Sequence, residues 1–304
     1  QGKHFNNKLW NALKLIKMWE AKNDGNQSES NADLNNDVNN NFAIEWFESR
    51  LNQARTEVNE QMTNFKLSEA LKTIYSLVWD DFCSWFLEWI KPAYEKNIDS
   101  ATYQKALYFF DELLHLLHPF MPFITEEIYH LLRERKEDLM VKQYSAIGEV
   151  NDTILQSGDK LKELITAIRD TRNKNQIKPK ETIQLNVETT DENSYSAFQS
   201  ILLKQINADA ITFNEEQAAS AATIVLGNDK IFIQCETEVD TEAQKQRLDK
   251  DLQYLKGFLI AVEKKLSNDK FVQNAKPEVI DLERKKKADV EAKIKLIEHS
   301  LSSL

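Results

Sequence analysis

Cysteine is scarce in this chain of 304 residues, which contains only Cys83 and Cys235. The two lie far apart and neither belongs to a CxxC pair, so the sequence predicts neither a disulfide framework nor a structural zinc site. Glycine and proline are also few, with 6 and 5 residues, which disfavours a disordered or loop-rich chain. We therefore expect a folded, mostly helical protein in a reducing, cytoplasmic setting.

Long apolar runs and catalytic motifs are missing as well. No stretch approaches the roughly 18 residues that span a bilayer, and the N-terminus has neither a basic signal region nor an initiator methionine. These absences predict a soluble piece of a longer protein with no membrane partner. The strings GxGxxG, GxxxxGK[ST], GxSxG and HExxH do not occur, so we predict no catalytic residues and no metal site.

Positive charge is in deficit overall, with 39 Lys and Arg against 49 Asp and Glu and a net charge of -10. This balance argues against a globally basic nucleic-acid-binding protein, although binding depends on local patches. From Ala243 to Leu304 the balance reverses, with 14 basic residues against 10 acidic ones. The C-terminal segment is therefore the expected place for contacts with a polyanion.

The first half of the chain shows apolar residues at helical spacing and predicts an antiparallel helical bundle over residues 1–148. The predicted helices are a first one ending before Asp24, then Phe42–Gln61, Leu67–Lys91, Thr102–His118 and Ile124–Arg135. An Asn- and Ser-rich stretch over 25–41 is interpreted as an exposed connection, and Pro92 is expected to end the third helix.

A small α+β subdomain is predicted over residues 149–240. A loop that holds Gly148 and Gly158 leads into it, and a helix over Lys160–Asn173 follows that loop. Short runs rich in β-branched residues then predict strands, with a further helix among them. The strands are expected at 182–189, 210–213, 222–226 and 230–235, and the helix at 198–206.

Residues 241–304 carry two heptad seams and predict an antiparallel coiled-coil hairpin. In each seam apolar residues alternate in steps of four and three. The first seam is Leu248, Leu252, Leu255, Leu259, Val262 and Leu266, and the second is Val290, Ile294, Ile297, Leu301 and Leu304. At 1.5 Å per residue each helix would extend roughly 35–40 Å. The predicted fold is thus mainly α.

Three local patterns allow alternative interpretations. His115 and His118, with Glu112 one turn away, could bind a metal, but their aromatic and leucine-rich surroundings favour packed histidines. The tryptophan-rich stretch over 79–89 could stack bases, but its helical spacing favours a buried core. The basic run over 284–287 could contact phosphates or form a solvated face of the coiled coil.

Five stretches together resemble class I valyl-tRNA synthetases. They are NKLWNA (7–12), WDDFCSWFLEWIKP (79–92), HPFMPFITEEIY (118–129), IRDTRNKNQIKP (168–179) and KLSNDKFVQNAKPEVI (265–280). The third is similar to a motif of the anticodon-binding domain that isoleucyl and leucyl enzymes share. The last, between two heptad helices, resembles the coiled coil of the valyl enzymes specifically.

This resemblance implies a C-terminal fragment with tRNA(Val) as its partner, and no DNA. The bundle would bind the anticodon loop and the coiled coil would brace the tRNA elbow. The Rossmann catalytic domain with its HIGH and KMSKS signatures, and the editing domain, would lie upstream. The fragment alone is therefore expected to be an inactive monomer without a cofactor, whereas the parent enzyme would use ATP with Mg.

The resemblance also implies tRNA-binding residues in two regions. On the anticodon side the candidates are Lys8, Asn11, Lys14, Leu15, Arg169, Arg172 and Lys174. On the coiled-coil arm they are Lys264, Lys265, Lys270, Arg284, Lys285, Lys286 and Lys287. Leu15 departs from the family pattern, which commonly has an aromatic residue there, and a leucine cannot stack on a base.

Two other functions fit parts of the same evidence. A helical scaffold or oligomerisation module would show the same heptads, although two seams that close within one chain leave little surface for a partner. The equivalent fragment of another class I synthetase would share the bundle motif. Light scattering tests the first alternative, because a scaffold would form a dimer and a tRNA-binding fragment would be a monomer that gains mass with tRNA. Competition between purified tRNAs tests the second, because the tRNA that competes best identifies the synthetase.

Overall fold

The computed structural model describes residues 2–25, 34–93, 96–215, 222–235, 241–268, 271 and 277–303. The chain divides into two compact units, Gln1–Lys160 and Leu161–Leu304. Within the described ranges most residues are helical and a small four-stranded sheet lies in the second unit, which confirms the mainly α prediction. No helix in these ranges is both long enough and apolar enough to cross a membrane.

The first unit is a helical bundle. Its elements are α1 (Gly2–Gly25), α2 (Leu34–Thr63), α3 (Leu67–Ser76), a π-helical segment (Leu77–Phe86), α4 (Leu87–Ile90), α5 (Ser100–Leu117), α6 (Pro122–Leu132) and a 3-10 turn (Leu139–Val141). α4 ends at Ile90, two residues before Pro92, as predicted. α2 begins inside the stretch interpreted as a connection, the rest of which (26–33) lies outside the described residues.

Sequence features explain where two of these helices begin. At the start of α5 the Asp99 carboxylate accepts a hydrogen bond from the backbone N–H of Thr102 at 2.7 Å. This cap satisfies one of the N–H groups that the first helical turn leaves unpaired. α6 starts at Pro122, where the missing N–H of proline is tolerated.

The core of the bundle is aromatic. Trp46, Phe47, Phe82, Phe86 and Trp89 are almost completely buried. Their rings meet in tilted and stacked pairs, such as Trp46 and Trp89 at 4.6 Å between centroids. The tryptophan-rich stretch is therefore mostly core, in agreement with the interpretation from spacing.

A network of buried and half-buried charges ties α5 to the residues on both sides of the 3-10 turn. The Asp111 carboxylate accepts from Arg135 Nη2 at 2.8 Å and from Lys142 Nζ at 2.7 Å. Glu112 lies 3.3 Å from the Lys142 ammonium and 3.5 Å from Arg55 of α2. Burial disfavours the charged ammonium, but the bond to Asp111 raises the pKa of Lys142 above its ordinary value.

The helix α7 (Asp152–Lys174) begins eight residues earlier than predicted, so Gly158 lies in a helix and not in a loop. A side chain on Gly158 would place its Cβ only 2.2 Å from Cδ1 and Nε1 of Trp46. The glycine is therefore a packing contact that lets the helix backbone approach the indole.

Replacing Gly158 by alanine should destabilise the protein. Alanine favours a helix by about 1 kcal/mol over glycine, but forcing a methyl group into a packed core costs about 1–3 kcal/mol. The second effect should exceed the first because Trp46 is buried against Trp89 and cannot move aside. Urea denaturation would measure the change. Gly257→Ala is the matched control, since nothing lies within 4 Å of its Cβ position.

The second unit contains the predicted α+β part. Its elements after α7 are β1 (Ile183–Glu188), α8 (Asn193–Ser196), α9 (Gln199–Ile206), β2 (Ala208–Phe213), β3 (Ala222–Leu226) and β4 (Asp229–Gln234). The strand order is β2-β1-β4-β3, with β1 and β2 parallel and the other pairs antiparallel. The tight β3–β4 turn places Gly227 at a φ of 58°, a conformation that suits glycine.

The coiled-coil hairpin is formed by α10 (Thr241–Leu266) and α11 (Pro277–Ser303), as the heptads predicted. Leu248 and Val262 of the first seam are buried, and so are Val290, Ile294 and Ile297 of the second. α11 also packs beside β3, so the hairpin and the sheet belong to one unit.

Candidate nucleic-acid interface

The four candidates on α1 share one face of the helix. At about 100° per residue, Lys8, Asn11, Lys14 and Leu15 fall within an arc of about 120°. Asn11 and Lys14 are exposed, whereas Lys8 and Leu15 are half-buried. The opposite face, which includes Ile16, is buried in the bundle. α1 therefore presents a mixed amide, cationic and aliphatic surface.

The Lys8 side chain lies over the π-helical segment. Its ammonium is 3.5 Å from the Ser84 hydroxyl and 5.2 Å from the centroid of the Trp79 ring. Trp79 stacks on Tyr75 at 5.7 Å with an interplanar angle of 10°, and Tyr75 stacks on Phe5 at 4.8 Å. The face of α1 is thus flanked by an aromatic ladder, Phe5–Tyr75–Trp79.

Sequence reasoning missed this ladder. It assigned Trp79 to the buried tryptophan-rich stretch, but Trp79 is half-buried and Tyr75 keeps 36% of its surface exposed. The sequence did contain a signal for it. Tyr75 and Trp79 are four residues apart and so share one helix face, which differs from the face of the core residues.

The candidates on α7 have different environments. Arg169 is exposed and donates to the Gln205 side chain at 3.0 Å, and Lys174 is exposed at the end of the helix. Arg172 is buried, and its guanidinium donates to the backbone carbonyls of Ile206, Lys178 and Glu181, the first at 2.6 Å. Because its guanidinium N–H groups bond to the backbone inside the fold, Arg172 is not exposed for contact with RNA.

The arm candidates form two groups. Arg284 and Lys285 are exposed; Arg284 lies 3.5 Å from Asp281, and no ion pair joins Lys285 to any residue in the described part of the chain. Lys286 lies 2.9 Å from Glu283, and Lys287 lies 2.8 Å from Glu263 on the other helix. Only the first group directs its charge outward.

The remaining arm candidates follow the same division. Lys264 is exposed, whereas the Lys265 ammonium lies 3.7 Å from the Glu283 carboxylate across the hairpin. Lys270 lies outside the described residues. The hydrogen bond from Lys286, reinforced by Lys265, holds the pKa of Glu283 below its ordinary value. Glu283 is therefore a carboxylate shared by both helices near the turn.

Two aromatic side chains on the arm lie off the seam and were also missed. Tyr254 is 73% exposed and Phe258, one turn later, is 38% exposed. Exposed aromatic rings beside basic residues are a common platform for stacking on nucleic-acid bases. Their positions outside the heptad pattern were the signal in the sequence.

The structure separates the three residues considered as a metal site. The His115 ring stacks on Tyr144 at 3.8 Å, and burial lowers the pKa of His115 below its ordinary value. Glu112 is engaged by Lys142 and Ser145. His118 points elsewhere, with Nδ1 2.8 Å from the Thr125 hydroxyl.

Two family profiles match the chain. The profile of the anticodon-binding domain of tRNA ligase covers residues 45–188. The profile of the valyl-tRNA synthetase tRNA-binding arm covers residues 240–304. The first takes in most of the bundle and the second coincides with the hairpin.

Curated relatives match over the whole length of the chain. The valine–tRNA ligase of Phocaeicola vulgatus is 42% identical and that of Bacteroides thetaiotaomicron is 40% identical, each over 100% of this chain. The valine–tRNA ligase of Enterococcus faecalis is 30% identical over 99%. The chain spans about a third of the length of these relatives, 34% of the first two and 35% of the third.

Proposed function

Because this chain belongs to the valyl-tRNA synthetase family, we propose that it forms the tRNA-binding part of a valine–tRNA ligase. The observation that carries the proposal is the pairing of an anticodon-binding bundle with a tRNA-binding arm in one chain. The bundle would hold the anticodon loop of tRNA(Val) and the arm would brace the elbow. Attachment of valine, with ATP and Mg, would take place on parts of the enzyme that this chain does not span.

On the bundle, α1 and the aromatic ladder supply what recognition of unpaired bases requires. Proteins bind single-stranded RNA loops by stacking on splayed bases and by hydrogen bonds to their edges. Asn11 offers an amide that donates and accepts, Lys14 offers a cation for phosphate, and Tyr75 and Trp79 offer ring surface. Leu15 would make an apolar packing contact.

On the arm, the proposed contacts are electrostatic. Arg284 and Lys285 direct charge away from the hairpin, as does Lys264 on the other helix. Contacts to phosphate position an RNA without specifying its sequence. The arm would therefore contribute affinity and orientation, whereas discrimination between tRNAs would depend on the bundle. We also propose that the chain is a monomer and acts in the cytoplasm, where tRNA is aminoacylated.

Binding of the chain to tRNA(Val) should be weak and strongly dependent on salt. The net charge of -10 opposes association, so the attraction depends on a few local contacts. With about four phosphates engaged, log K should fall against log salt with a slope of about -3 to -4. A fluorescence titration at two or more salt concentrations measures this slope.

A non-cognate tRNA and the variant Asn11→Ala are the controls for that titration. The non-cognate tRNA should bind more weakly with a similar slope, and Asn11→Ala should reduce the difference between the two tRNAs. An affinity that does not depend on salt would contradict the phosphate contacts. A chain that dimerises with increasing concentration and does not bind tRNA would support the scaffold alternative.

A further inference from the structure

A cluster of two histidines and two carboxylates lies on α6 and in the segments that flank it. His130 and Glu126 are one turn apart on α6, and Asp138 lies in the loop before the 3-10 turn. His118, at the end of α5, approaches Glu126 from the other side. These side chains line one open pocket.

The distances within the cluster suit a single cation. His130 Nε2 is 3.2 Å from Glu126 Oε1 and 3.1 Å from Asp138 Oδ1. One ligand atom from each of the three residues lies within 4.8 Å of the others. Ligands bound at about 2.1 Å around one tetrahedral ion are separated by about 3.4 Å. The His130 distances are close to that value, and rotation of the exposed Asp138 side chain can bring the two carboxylates closer together.

The hydrogen bonds of His118 leave its other ring nitrogen suited to accept a metal. With the Thr125 hydroxyl donating to the Met121 carbonyl at 2.8 Å, its oxygen can accept from His118 Nδ1, also at 2.8 Å. A neutral His118 therefore carries its proton on Nδ1 and its lone pair on Nε2. Nε2 lies 3.9 Å from Glu126 Oε2. Metal-binding histidines commonly have their other nitrogen fixed in this way.

The backbone also holds one carboxylate of the cluster in place. The N–H of Leu139 donates to Glu126 Oε1 at 2.7 Å, which fixes the carboxylate where it faces His130.

We propose that Glu126, His130 and Asp138 bind a divalent transition-metal ion of the zinc type, with His118 next to the fourth coordination position. Imidazole and carboxylate ligands suit zinc and its first-row neighbours, whereas magnesium prefers oxygen ligands alone. The bound ion would join the end of α6 to the loop before the 3-10 turn. This site does not depend on the proposed contact with tRNA.

Calorimetric titration of the whole chain with zinc chloride at pH 7.5 tests the proposal. One equivalent should bind, because the three clustered residues each supply one ligand atom around a single position. His130→Ala and Asp138→Asn each remove a ligand. Each should weaken binding by more than the roughly 10–100-fold that loss of an outer-shell partner costs. Magnesium chloride should give no comparable binding.

Glu134→Gln is the matched control, because Glu134 is exposed, does not line the pocket and is not one of the three clustered ligands. This variant should bind zinc like the original chain. Circular dichroism should show that all variants remain folded, since His130 and Asp138 are surface residues. Absence of binding, or binding by His130→Ala and Asp138→Asn as tight as that of the original chain, would overturn the proposal.

Discussion

Replacing Arg172 by alanine is expected to lower the free energy of unfolding of the second unit by about 3 kcal/mol or more. The guanidinium donates to three backbone carbonyls, from Ile206, Lys178 and Glu181, and so ties α7 to the end of α9 and to the loop before β1. Alanine would remove all three of these bonds, and a hydrogen bond to a charged group contributes about 1.5–3 kcal/mol. The Ile206 carbonyl would lose this donor, whereas the carbonyls of Lys178 and Glu181 would keep bonds from the Glu181 N–H and the Asn207 amide.

Urea denaturation followed by circular dichroism would measure the loss. The control is Arg169→Ala, one turn earlier on the same helix, where the guanidinium is exposed and bonded to Gln205. Exposed substitutions usually change stability by no more than about 0.5 kcal/mol. Equal and small effects of the two variants would show that the buried contacts of Arg172 do not support the fold.

Reversing the charge of Arg284 and Lys285 together should reduce affinity for tRNA(Val) by at least about tenfold and flatten the salt slope by about two units. Both residues are exposed and direct their charge outward. Their replacement by Glu should leave the hairpin folded and should not alter the preference for tRNA(Val) over a non-cognate tRNA, because phosphate contacts carry no sequence information. Titrations with both tRNAs measure affinity, slope and preference.

The matched variant is Lys286→Gln with Lys287→Gln. These lysines contact Glu283, Glu263 and Glu291, so their loss should lower the melting temperature of the arm more than it changes the salt slope. If the folded double variant Arg284→Glu, Lys285→Glu binds tRNA as tightly as the original chain, these two residues do not contact phosphate and form a solvated face. An equal loss of affinity in both double variants would contradict the division into two groups.

The fold was largely predictable because its elements repeat strong local patterns. Heptads predicted the hairpin, and Pro92 predicted the end of α4. The predicted start of α7 was wrong because glycine ordinarily disfavours a helix interior, so Gly158 was assigned to a loop. Only the indole of Trp46 explains why Gly158 is needed there, and that contact joins residues more than a hundred positions apart.

The candidate site was less predictable, because residue type does not reveal what a side chain contacts. Arg172 and Arg169 look equivalent in sequence, but the carbonyls that surround Arg172 come from segments that meet only in the fold. For the arm, more could have been inferred. Glu283 is one heptad before Val290 and therefore occupies a seam position of the second helix. A carboxylate in such a buried position needs basic partners, which predicts ion pairs there.

The position of Glu283 makes the contacts between the two helices of the hairpin different along its length. Where Leu248, Ile294 and Ile297 fill the seam, apolar packing resists bending with little dependence on salt. Around Glu283 the helices are joined by charge pairs, which mobile ions screen over about 10 Å at 0.1 M. A nucleic-acid backbone carries a dense layer of counterions. Salt should therefore loosen the arm more around Glu283 than where the apolar seam packs, and Glu283 lies beside the cations proposed to contact phosphate.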